Sequence, residues 1–329
     1  MSGLDKQSHL PRALFTGANG FVGRTLCETL AQSGYLVRAA YRNEQRAPVG
    51  NLESVLVGDI TGTTDWTAAL DGVDAVVHCA ARAHVLGDDP RNSELYMETN
   101  ARATRQLAQA AARAGIRRLI YLSSVKVNGE ETLDHGYTAE DTPQPRDPYG
   151  TSKWLGEQYL AEIAAGTSLQ TAIVRSPLVY GPGVRANFLR LMRSVHQGAL
   201  LPLGAINNRR SLVSIWNLCD LLMLLLKTSS PSGRTWMVSD GEDVSTADLV
   251  RRIGVVMKRP ARLMAVPPRL LRIVGALVGR GAEMRRLCGS LVLDITKTRS
   301  ELGWAPPLPL DQGLERTTTW YLSGRAHEN

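Results

Sequence analysis

The 329-residue sequence predicts an α/β protein built on a doubly wound parallel sheet, with a smaller α/β lobe towards its C terminus. Short apolar segments alternate with helical segments over the first half of the chain, which is the pattern of such a sheet. The segment 73–80 is apolar at nearly every position, as a strand buried on both faces should be. After residue 182 the alternation weakens, and this predicts that the second lobe begins there.

A glycine-rich turn, T-G-A-N-G-F-V-G, follows the first predicted strand at residues 13–15 and leads into a helix. Gly17 allows the tight turn, Gly20 lets the backbone approach a pyrophosphate, and Gly23 lets the helix pack closely on the strand. The N terminus of the helix offers free N–H groups and the positive end of its dipole to phosphates. The order of strand, turn and helix therefore predicts a dinucleotide site of the Rossmann type.

The second predicted strand, residues 36–40, ends at Tyr41 and Arg42. An acidic residue usually stands at this position and holds the ribose hydroxyls of NAD. Arg42 is suited instead to pair with a 2′-phosphate and to stack on adenine. The sequence therefore favours NADP(H) over NAD(H), and the alternative interpretation of Arg42 is a solvated surface side chain.

The same patterns predict the remaining elements. Further strands are expected at residues 55–60, 73–80, 119–124, 171–174 and 235–238. Helices are expected at residues 94–114, 151–165, 187–195 and 246–257, and a short strand leads into an apolar helix within 212–226. Ligands of a doubly wound sheet collect at the carboxyl ends of its strands. The residues predicted at these ends are Gly17, Asp59, Ala80, Ser123 and Ser124.

The composition favours a soluble globular protein, because 43% of residues are hydrophobic and 21% are charged. The formal charge of +7 fits anionic ligands such as phosphates. No dense basic stripe is interleaved with aromatic residues, so nucleic acid is not an expected partner. The cysteines (Cys27, Cys79, Cys219 and Cys288) are scattered without a C-x-x-C pair. This argues against zinc and disulfide bonds and indicates a reducing cytoplasm.

Two apolar segments, 221–226 and 270–278, are too short to cross a bilayer, so stable membrane insertion is not expected. Arginines flank residues 270–278, which leaves a peripheral membrane contact open, although a buried or interface helix is favoured. Residues 1–11 are polar, without the apolar core of a signal peptide, and are expected to form a flexible tail. The predicted cofactor domain covers 12–182 with 211–242 returning to it. The predicted substrate lobe covers 183–210 and 243–329.

Tyr149 and Lys153 lie four residues apart at the start of a predicted helix, which puts the phenol and the ammonium on one face. The ammonium favours the phenolate and so lowers the pKa of Tyr149 towards neutral pH. Such a pair exchanges a proton with a hydroxyl or carbonyl group. The motif Y-x-x-x-K also occurs at the start of ordinary amphipathic helices, so its meaning depends on the rest of the chain.

The glycine-rich turn, the serines that end the fifth strand and Y-x-x-x-K occur in one order along the chain. Together they resemble the extended short-chain dehydrogenase/reductases of the NAD-dependent epimerase/dehydratase family. The resemblance implies that Tyr149 is the acid/base, that Lys153 binds the nicotinamide ribose, and that Ser124 binds the substrate oxygen. It implies cofactor contacts by Gly17, Asn19, Gly20, Phe21, Val22, Gly23, Arg42, Asp59, Ile60, Ala80, Ala81, Asn100, Ser123, Tyr149, Lys153 and Pro177.

The chain departs from the sugar dehydratases of this family at Val125 and Lys126, where those enzymes carry Asp and Glu. Without these carboxyl groups elimination of water lacks its acid and base, so a dehydratase is not expected. Asn128 stands where epimerases commonly have Tyr, and a structural turn residue is its favoured interpretation. The substrate residues implied by the resemblance are Ser124, Lys126, Asn187, Leu203, Arg210 and Arg286. Arg210 and Arg286 match a diphosphate site, and the alternative for each is a solvated surface arginine.

Within the family, the strings S-S-V-K-V-N-G-E and L-P-L-G resemble a bacterial subgroup of reductases. These reduce UDP-4-keto-6-deoxy-N-acetylglucosamine to UDP-N-acetylquinovosamine for lipopolysaccharide O-antigen. The resemblance therefore implies a UDP-linked sugar as substrate, NADP(H) as the favoured cofactor and a homodimer. Two alternatives stay open: a UDP-sugar 4-epimerase with tightly bound NAD, and a non-catalytic NADP-binding sensor or scaffold protein.

Overall fold

The computed structural model describes residues 11–43, 52–83, 90–228 and 233–324. By contacts the chain divides into two compact units. Unit 1 comprises Met1–Ser123, Asp147–Val174 and Leu222–Thr235, and unit 2 comprises Ser124–Arg146, Arg175–Leu221 and Trp236–Asn329. The predicted cofactor domain is larger than unit 1, because its residues 124–146, 175–182, 211–221 and 236–242 group with unit 2. The predicted tail falls almost entirely outside the described residues.

The strands are numbered β1 to β12 in chain order. They are Arg12–Thr16, Leu36–Tyr41, Leu52–Leu56, Ala75–His78, Arg118–Ser124, Gln170–Ser176, Leu178–Tyr180, Leu200–Leu201, Arg210–Ser214, Arg234–Met237, Asp243–Val244 and Arg262–Leu263. The large sheet has the order β10-β6-β5-β4-β1-β2-β3, and the described pairs β1–β2, β1–β4, β2–β3 and β4–β5 are parallel. This confirms the predicted doubly wound sheet.

The α-helices are numbered α1 to α12 in the same way. They are Phe21–Gln32, Thr67–Leu70, Pro90–Tyr96, Ala103–Arg113, Pro148–Ala165, Ala186–His196, Ile215–Lys227, Thr246–Val256, Pro268–Leu277, Gly281–Cys288, Thr296–Leu302 and Leu310–Leu322. A π-helix, Met97–Arg102, joins α3 to α4, and a 3₁₀ turn, Val125–Val127, follows β5. Within the described ranges, no helix is both long and apolar enough to span a bilayer.

The sheet of unit 1 aligns the strand ends that bear the predicted cofactor residues. Thr16 of β1 lies in register with Ala40 of β2 and with His78 of β4, and His78 in turn lies beside Tyr121 of β5. The residues that follow these four positions therefore emerge at one edge. The apolar side chains beneath them form one buried cluster, to which α2, α4 and α5 contribute Leu70, Leu107 and Leu160. Removal of these side chains from water is the main force that fixes the edge.

Two sequence predictions within unit 1 are wrong in detail. The third strand ends at Leu56 rather than at residue 60, because Gly58 adopts φ of 69° and turns the chain out of the sheet. Asp59 and Ile60 therefore lie in the loop beyond the strand. The helix expected at 94–114 is also interrupted, because the six residues of the π-helix widen the turn around Asn100.

Unit 2 contains small sheets and most of the later helices. Its three-stranded sheet has the order β11-β9-β7, with β7 parallel and β11 antiparallel to β9, and β8 pairs in parallel with β12. Helix α9 confirms that residues 270–278 favour a helix. The sequence favoured a buried or interface helix. The apolar side chains of α9 face solvent, so the helix is not buried within the chain, and the interface alternative stays a prediction.

Candidate active site

The glycine-rich turn between β1 and α1 has no room for side chains. Gly17 adopts φ of 76°, and a Cβ on it would lie 2.8 Å from the Ala80 nitrogen. A Cβ on Gly20 would lie 3.0 Å from the Gly17 oxygen, and one on Gly23 would overlap that oxygen. No side chain caps α1, and no acidic residue lies in its first turn. The first amide groups of α1 are thus suited to bind a phosphate.

These observations fit a nicotinamide dinucleotide. Asn19, Phe21 and Val22 lie in the turn and the first turn of α1, and Ala80 and Ala81 follow β4 beside Gly17. The pyrophosphate would be held by backbone N–H groups rather than by a basic side chain. The bound cofactor would supply the hydride exchange that no amino-acid side chain can perform.

A buried network holds the end of β4 next to this turn. Thr16 Oγ1 and His78 Nδ1 are 2.6 Å apart, and His78 Nε2 is 3.0 Å from Thr104 Oγ1. The Ala80 N–H donates to Thr16 Oγ1 at 3.2 Å. Burial lowers the pKa of His78 to about 3, with a smaller contribution from Lys153. His78 is therefore neutral and positions the cofactor segment instead of transferring protons.

Asn100, on the π-helix, links that segment to α5. Its Nδ2 donates to the Arg82 oxygen and to Ser152 Oγ, both at 3.0 Å, and its Oδ1 accepts from the Arg82 nitrogen at 2.8 Å. Both of its amide protons are thus bonded to protein groups. These contacts show that Asn100 orients α5, and its contact with the cofactor stays a prediction from the resemblance.

Helix α5 carries Tyr149 and Lys153. Pro148 begins the helix, and Asp147 Oδ1 caps it by accepting from the Gly150 N–H at 2.6 Å. Tyr149 is half-buried in the first turn, with its ring edge-on to Tyr96 at a centroid distance of 6.0 Å. The side chain of Tyr149 therefore has a defined direction before any ligand binds.

Lys153 is one of the most buried side chains of the protein, with 1% of its surface exposed. Its Nζ donates to the Leu122 oxygen at 2.7 Å and lies 4.2 Å from the ring centroid of Tyr121. Burial lowers the pKa of Lys153 to about 8, although Cys79 and Glu157 oppose that shift. An ammonium group has three donors, so Lys153 is anchored by one contact and keeps capacity to bind a ligand.

Glu157 is a site residue that the sequence reasoning missed. It is 2% exposed and accepts a hydrogen bond from Ser123 Oγ at 2.5 Å. It follows Lys153 by one helical turn, so Tyr149, Lys153 and Glu157 form one row along α5. That spacing was the available signal, but a glutamate within a helix ordinarily indicates a solvated face. Ser123, a predicted cofactor residue, is thereby joined to α5.

At the other end of the strand edge, Arg42 and Asp59 form an ion pair. Arg42 Nε is 2.8 Å from Asp59 Oδ1, and both side chains are exposed. Both residues are predicted to lie near the adenosine part of the cofactor, and the structure brings them together. A 2′-phosphate would have to compete with Asp59 for the guanidinium of Arg42.

Unit 2 contains the residues that follow β5. Ser124 Oγ caps the 3₁₀ turn by accepting from the Lys126 N–H at 3.3 Å, and Lys126 Nζ pairs with Glu130 at 2.7 Å. Asn128 is buried, donates to the Thr138 oxygen and accepts from Arg175, both at 3.0 Å. These contacts give Asn128 the structural role that the sequence favoured.

Two predicted substrate residues of unit 2 are brought together. Arg210 begins β9, and its Nη1 donates to the oxygens of Arg286 at 2.8 Å and of Gly289 at 3.2 Å. Burial lowers the pKa of Arg210. Leu203 is buried on a separate segment, and Asn187 is exposed at the start of α6. Pro177 is buried between β6 and β7.

Ser124 and the predicted substrate residues lie in unit 2, whereas Tyr149 and Lys153 lie in unit 1. The approach of Ser124 to Tyr149 stays a prediction from the resemblance. The structure establishes the local contacts that orient each group within its own unit.

Comparison with known proteins gives consistent matches over nearly the whole chain. Residues 13–239 match the model of the NAD dependent epimerase/dehydratase family. The chain is 42% identical to UDP-glucose 4-epimerase of Vibrio cholerae, over 94% of this chain and 95% of that protein. It is 27% identical to N-acetyl-alpha-D-glucosaminyl-diphospho-ditrans,octacis-undecaprenol 4-epimerase of Escherichia coli O157:H7, over 92% and 93%. The structure of MoeE5 in complex with UDP-glucose and NAD matches with a TM-score of 0.76 and 25% identity, over 95% and 99%.

Proposed function

The chain belongs to the NAD-dependent epimerase/dehydratase family, and from that premise we propose that it reduces a UDP-linked 4-keto-6-deoxy sugar with NADPH. The favoured substrate is UDP-4-keto-6-deoxy-N-acetylglucosamine, and the product is UDP-N-acetylquinovosamine for surface polysaccharide. The observation that carries the proposal over an epimerase is Arg42, which favours exchangeable NADPH over tightly bound NAD. The pair Val125 and Lys126 argues against a dehydratase. Where the family's dehydratases carry an acid and a base, this chain has an apolar side chain and a lysine bonded to Glu130.

The proposed reaction uses Tyr149 as the proton donor. Hydride addition to the ketone carbon leaves a developing alkoxide, which Tyr149 protonates. Lys153 favours the phenolate form of Tyr149 and binds the nicotinamide ribose. Ser124 Oγ already accepts from the Lys126 N–H, so its own proton is available to donate to the alkoxide. The buried ammonium of Lys153 acts strongly because little water screens it.

The UDP moiety is assigned to the predicted residues of unit 2. Arg210 and Arg286 would bind the diphosphate, Leu203 would contact the uracil, and Asn187 would contact the sugar or the diphosphate. Support comes from the contact between Arg210 and the Arg286 backbone and from the UDP-glucose in the MoeE5 complex. Lys126 completes the proposed substrate set.

NADP(H) is the proposed cofactor because β2 ends at Tyr41, where an acidic residue would favour NAD, and Arg42 follows. The exposed ion pair of Arg42 with Asp59 would not prevent a 2′-phosphate from binding Arg42, since such a pair contributes about 1 kcal/mol or less to stability. NAD(H) is the alternative, and NAD is the cofactor in the MoeE5 complex. A cytoplasmic homodimer remains part of the proposal, and light scattering would determine its mass.

A UDP-sugar 4-epimerase is the second candidate, favoured by the relative from Vibrio cholerae. It would use the same residues but retain NAD and return the hydride to the sugar. A non-catalytic sensor or scaffold protein has less support, because Tyr149 and Lys153 are both present on α5.

The deciding experiment mixes the purified protein with the 4-keto sugar and NADPH or NADH. We expect NADPH absorbance to fall and a 4-hydroxy product to accumulate, with Tyr149→Phe as the inactive control. In parallel, the protein is incubated with UDP-glucose or UDP-N-acetylglucosamine without added cofactor. Interconversion of those sugars, with no consumption of NADPH by the ketone, would identify an epimerase and reject the reductase.

A further inference from the structure

Helix α9 exposes an apolar face that no described part of the chain covers. Leu270, Ile273, Val274 and Leu277 are 50%, 58%, 48% and 82% exposed, and we call these four residues the apolar stripe. Their spacing of three and four residues places them on one side of the helix. The opposite side faces the protein, where Gly275 is buried. Apolar stripes ordinarily face the core, so this one indicates an interaction surface.

The segment that bears the apolar stripe has a net positive charge. Residues 267–289 contain five arginines and one glutamate, a formal charge of +4, whereas the whole chain carries +7. Arg269 borders the stripe on α9, and Arg280 lies just beyond its end, where it pairs with Glu283 at 2.9 Å. Arg272 lies on the opposite side of α9, with its Nη2 3.5 Å from Glu131. All three arginines are exposed. The apolar stripe and more than half of the net charge thus belong to one short segment.

The segment is held firmly rather than loosely attached. The Arg280 N–H donates to the Gly275 oxygen at 2.6 Å, and a Cβ on Gly275 would overlap Met284 of α10. The end of α10 is bonded in turn to another part of unit 2, because Asn208 Nδ2 donates to the Gly289 oxygen at 2.7 Å. The exposure of the apolar stripe is therefore built into the packing of α9 on α10.

We propose that α9 and α10 dock the protein on the surface of a bilayer that contains anionic phospholipids. With 10 residues, α9 is about 15 Å long, so it would lie in the plane of the interface. The apolar stripe would enter the boundary between headgroups and acyl chains, and the arginines would pair with lipid phosphates. Their long side chains allow the charged ends to stay at headgroup level while the helix is partly immersed.

The positive charge of the segment favours an anionic bilayer surface, rather than a second copy of the chain, as the partner of the apolar stripe. A symmetric dimer through α9 would bring the same arginines of both copies together, and like charges that meet at an interface oppose association. An anionic lipid surface supplies the opposite charge along the whole helix. This docking concerns where the protein resides and does not depend on the reaction assigned to it.

The test is co-sedimentation of the full-length protein with two kinds of vesicle. One is phosphatidylcholine alone, and the other contains equal amounts of phosphatidylcholine and phosphatidylglycerol. We expect binding to the anionic vesicles that weakens with added salt, and little binding to the neutral ones. Leu277→Ser should weaken binding about tenfold, because an exposed leucine loses its apolar environment. Arg269→Gln should weaken it about fivefold.

Matched variants separate the stripe from general surface properties. Val255→Ser removes another exposed apolar side chain, 77% exposed on α8, and Arg251→Gln removes an exposed arginine of the same helix. Both should bind like the unmodified protein. The proposal fails if the protein ignores anionic vesicles, or if Ile273→Ser with Leu277→Ser binds normally. It also fails if ultracentrifugation shows a dimer that Leu277→Ser dissociates while vesicles stay unbound, since a second copy would then cover the stripe.

Discussion

The catalytic centre proposed in unit 1 and several of the substrate residues proposed in unit 2 differ in how they are held. In unit 1 Lys153, Glu157 and Asn100 are buried and bonded to the protein. In unit 2 Asn187 and Arg286 are exposed, and Lys126 is only partly buried in its pair with Glu130. This difference suggests a rigid centre for the chemistry and exchangeable contacts for the substrate. Loss of a group should therefore reduce turnover in unit 1 and substrate affinity in unit 2.

The largest effect is expected at Tyr149. Tyr149→Phe should lower kcat about a thousandfold, because general acid catalysis contributes about that much. Binding of the cofactor, measured by fluorescence titration, should change little. Tyr159→Phe, on the same helix beside Arg105, is the matched control and should keep full activity. Equal losses in both variants would contradict the assigned role.

The pH dependence should report Lys153. Its pKa is about 8, so activity should fall as pH rises through that value and the ammonium loses its proton. The unfolded chain keeps this proton to about pH 10.5, so between these values it binds more protons than the folded protein. The free energy of unfolding should thus rise with pH in this window relative to Lys153→Met. Urea titrations of both proteins between about pH 8 and pH 10.5 would measure the free energy of unfolding. The same dependence of this free energy on pH in both proteins would contradict the buried ammonium.

Glu157 tests whether the buried contacts of unit 1 act on turnover. Glu157→Gln should lower kcat about tenfold with little change in KM. The variant should weaken general acid catalysis without abolishing it, and the whole contribution of general acid catalysis to the rate is larger than about tenfold. Because Glu157 raises the pKa of Lys153, the alkaline fall in activity should move to lower pH. Ser123→Ala removes the same hydrogen bond but keeps the carboxylate, so its pH profile should stay unmoved. A shift in both variants would mean a purely structural role.

Arg210 tests the opposite behaviour in unit 2. Arg210→Gln should raise KM for the UDP-sugar about tenfold with a smaller effect on kcat, since a charge-assisted hydrogen bond to the diphosphate is lost. Its neighbour Arg209 is exposed and pairs with Asp243, so Arg209→Gln serves as control. A decrease in kcat with no change in KM would contradict the expectation that residues of unit 2 act on substrate affinity.

The smallest effect is expected at the exposed pair of unit 1. Arg42→Ser should raise KM for NADPH about fivefold and leave KM for NADH unchanged, because an exposed charge is well screened. Asp59→Asn should instead lower KM for NADPH by releasing Arg42. Steady-state kinetics with both cofactors measures this, and equal changes for NADPH and NADH would reject a 2′-phosphate contact.

Local signals predicted the parts of the structure that local interactions determine. The glycine-rich turn, the helix that carries Lys153 and the apolar parallel strands were predictable because each depends on neighbouring residues. The ion pair of Arg42 with Asp59 and the burial of Glu157 depend on contacts across the sheet, which no short pattern reveals. The end of β3 was misplaced because the apolar pattern passes through Gly58, whose backbone turns away. For α9 the sequence left burial, an interface and a peripheral membrane contact open, because apolar spacing alone does not say what a helix face contacts.

The π-helix around Asn100 has a consequence for the phase of the long helix. A π turn accommodates one residue more than an α turn, so positions before and after it are offset by about 100° around the axis. Deletion of one residue from Met97–Arg102 would restore regular periodicity. It would also rotate the carboxamide of Asn100 away from Arg82 and Ser152. The hydrogen bonds that join the segment after β4 to α5 would then be lost. The extra residue thus interrupts the regular helix and, by doing so, aligns the segment after β4 with α5.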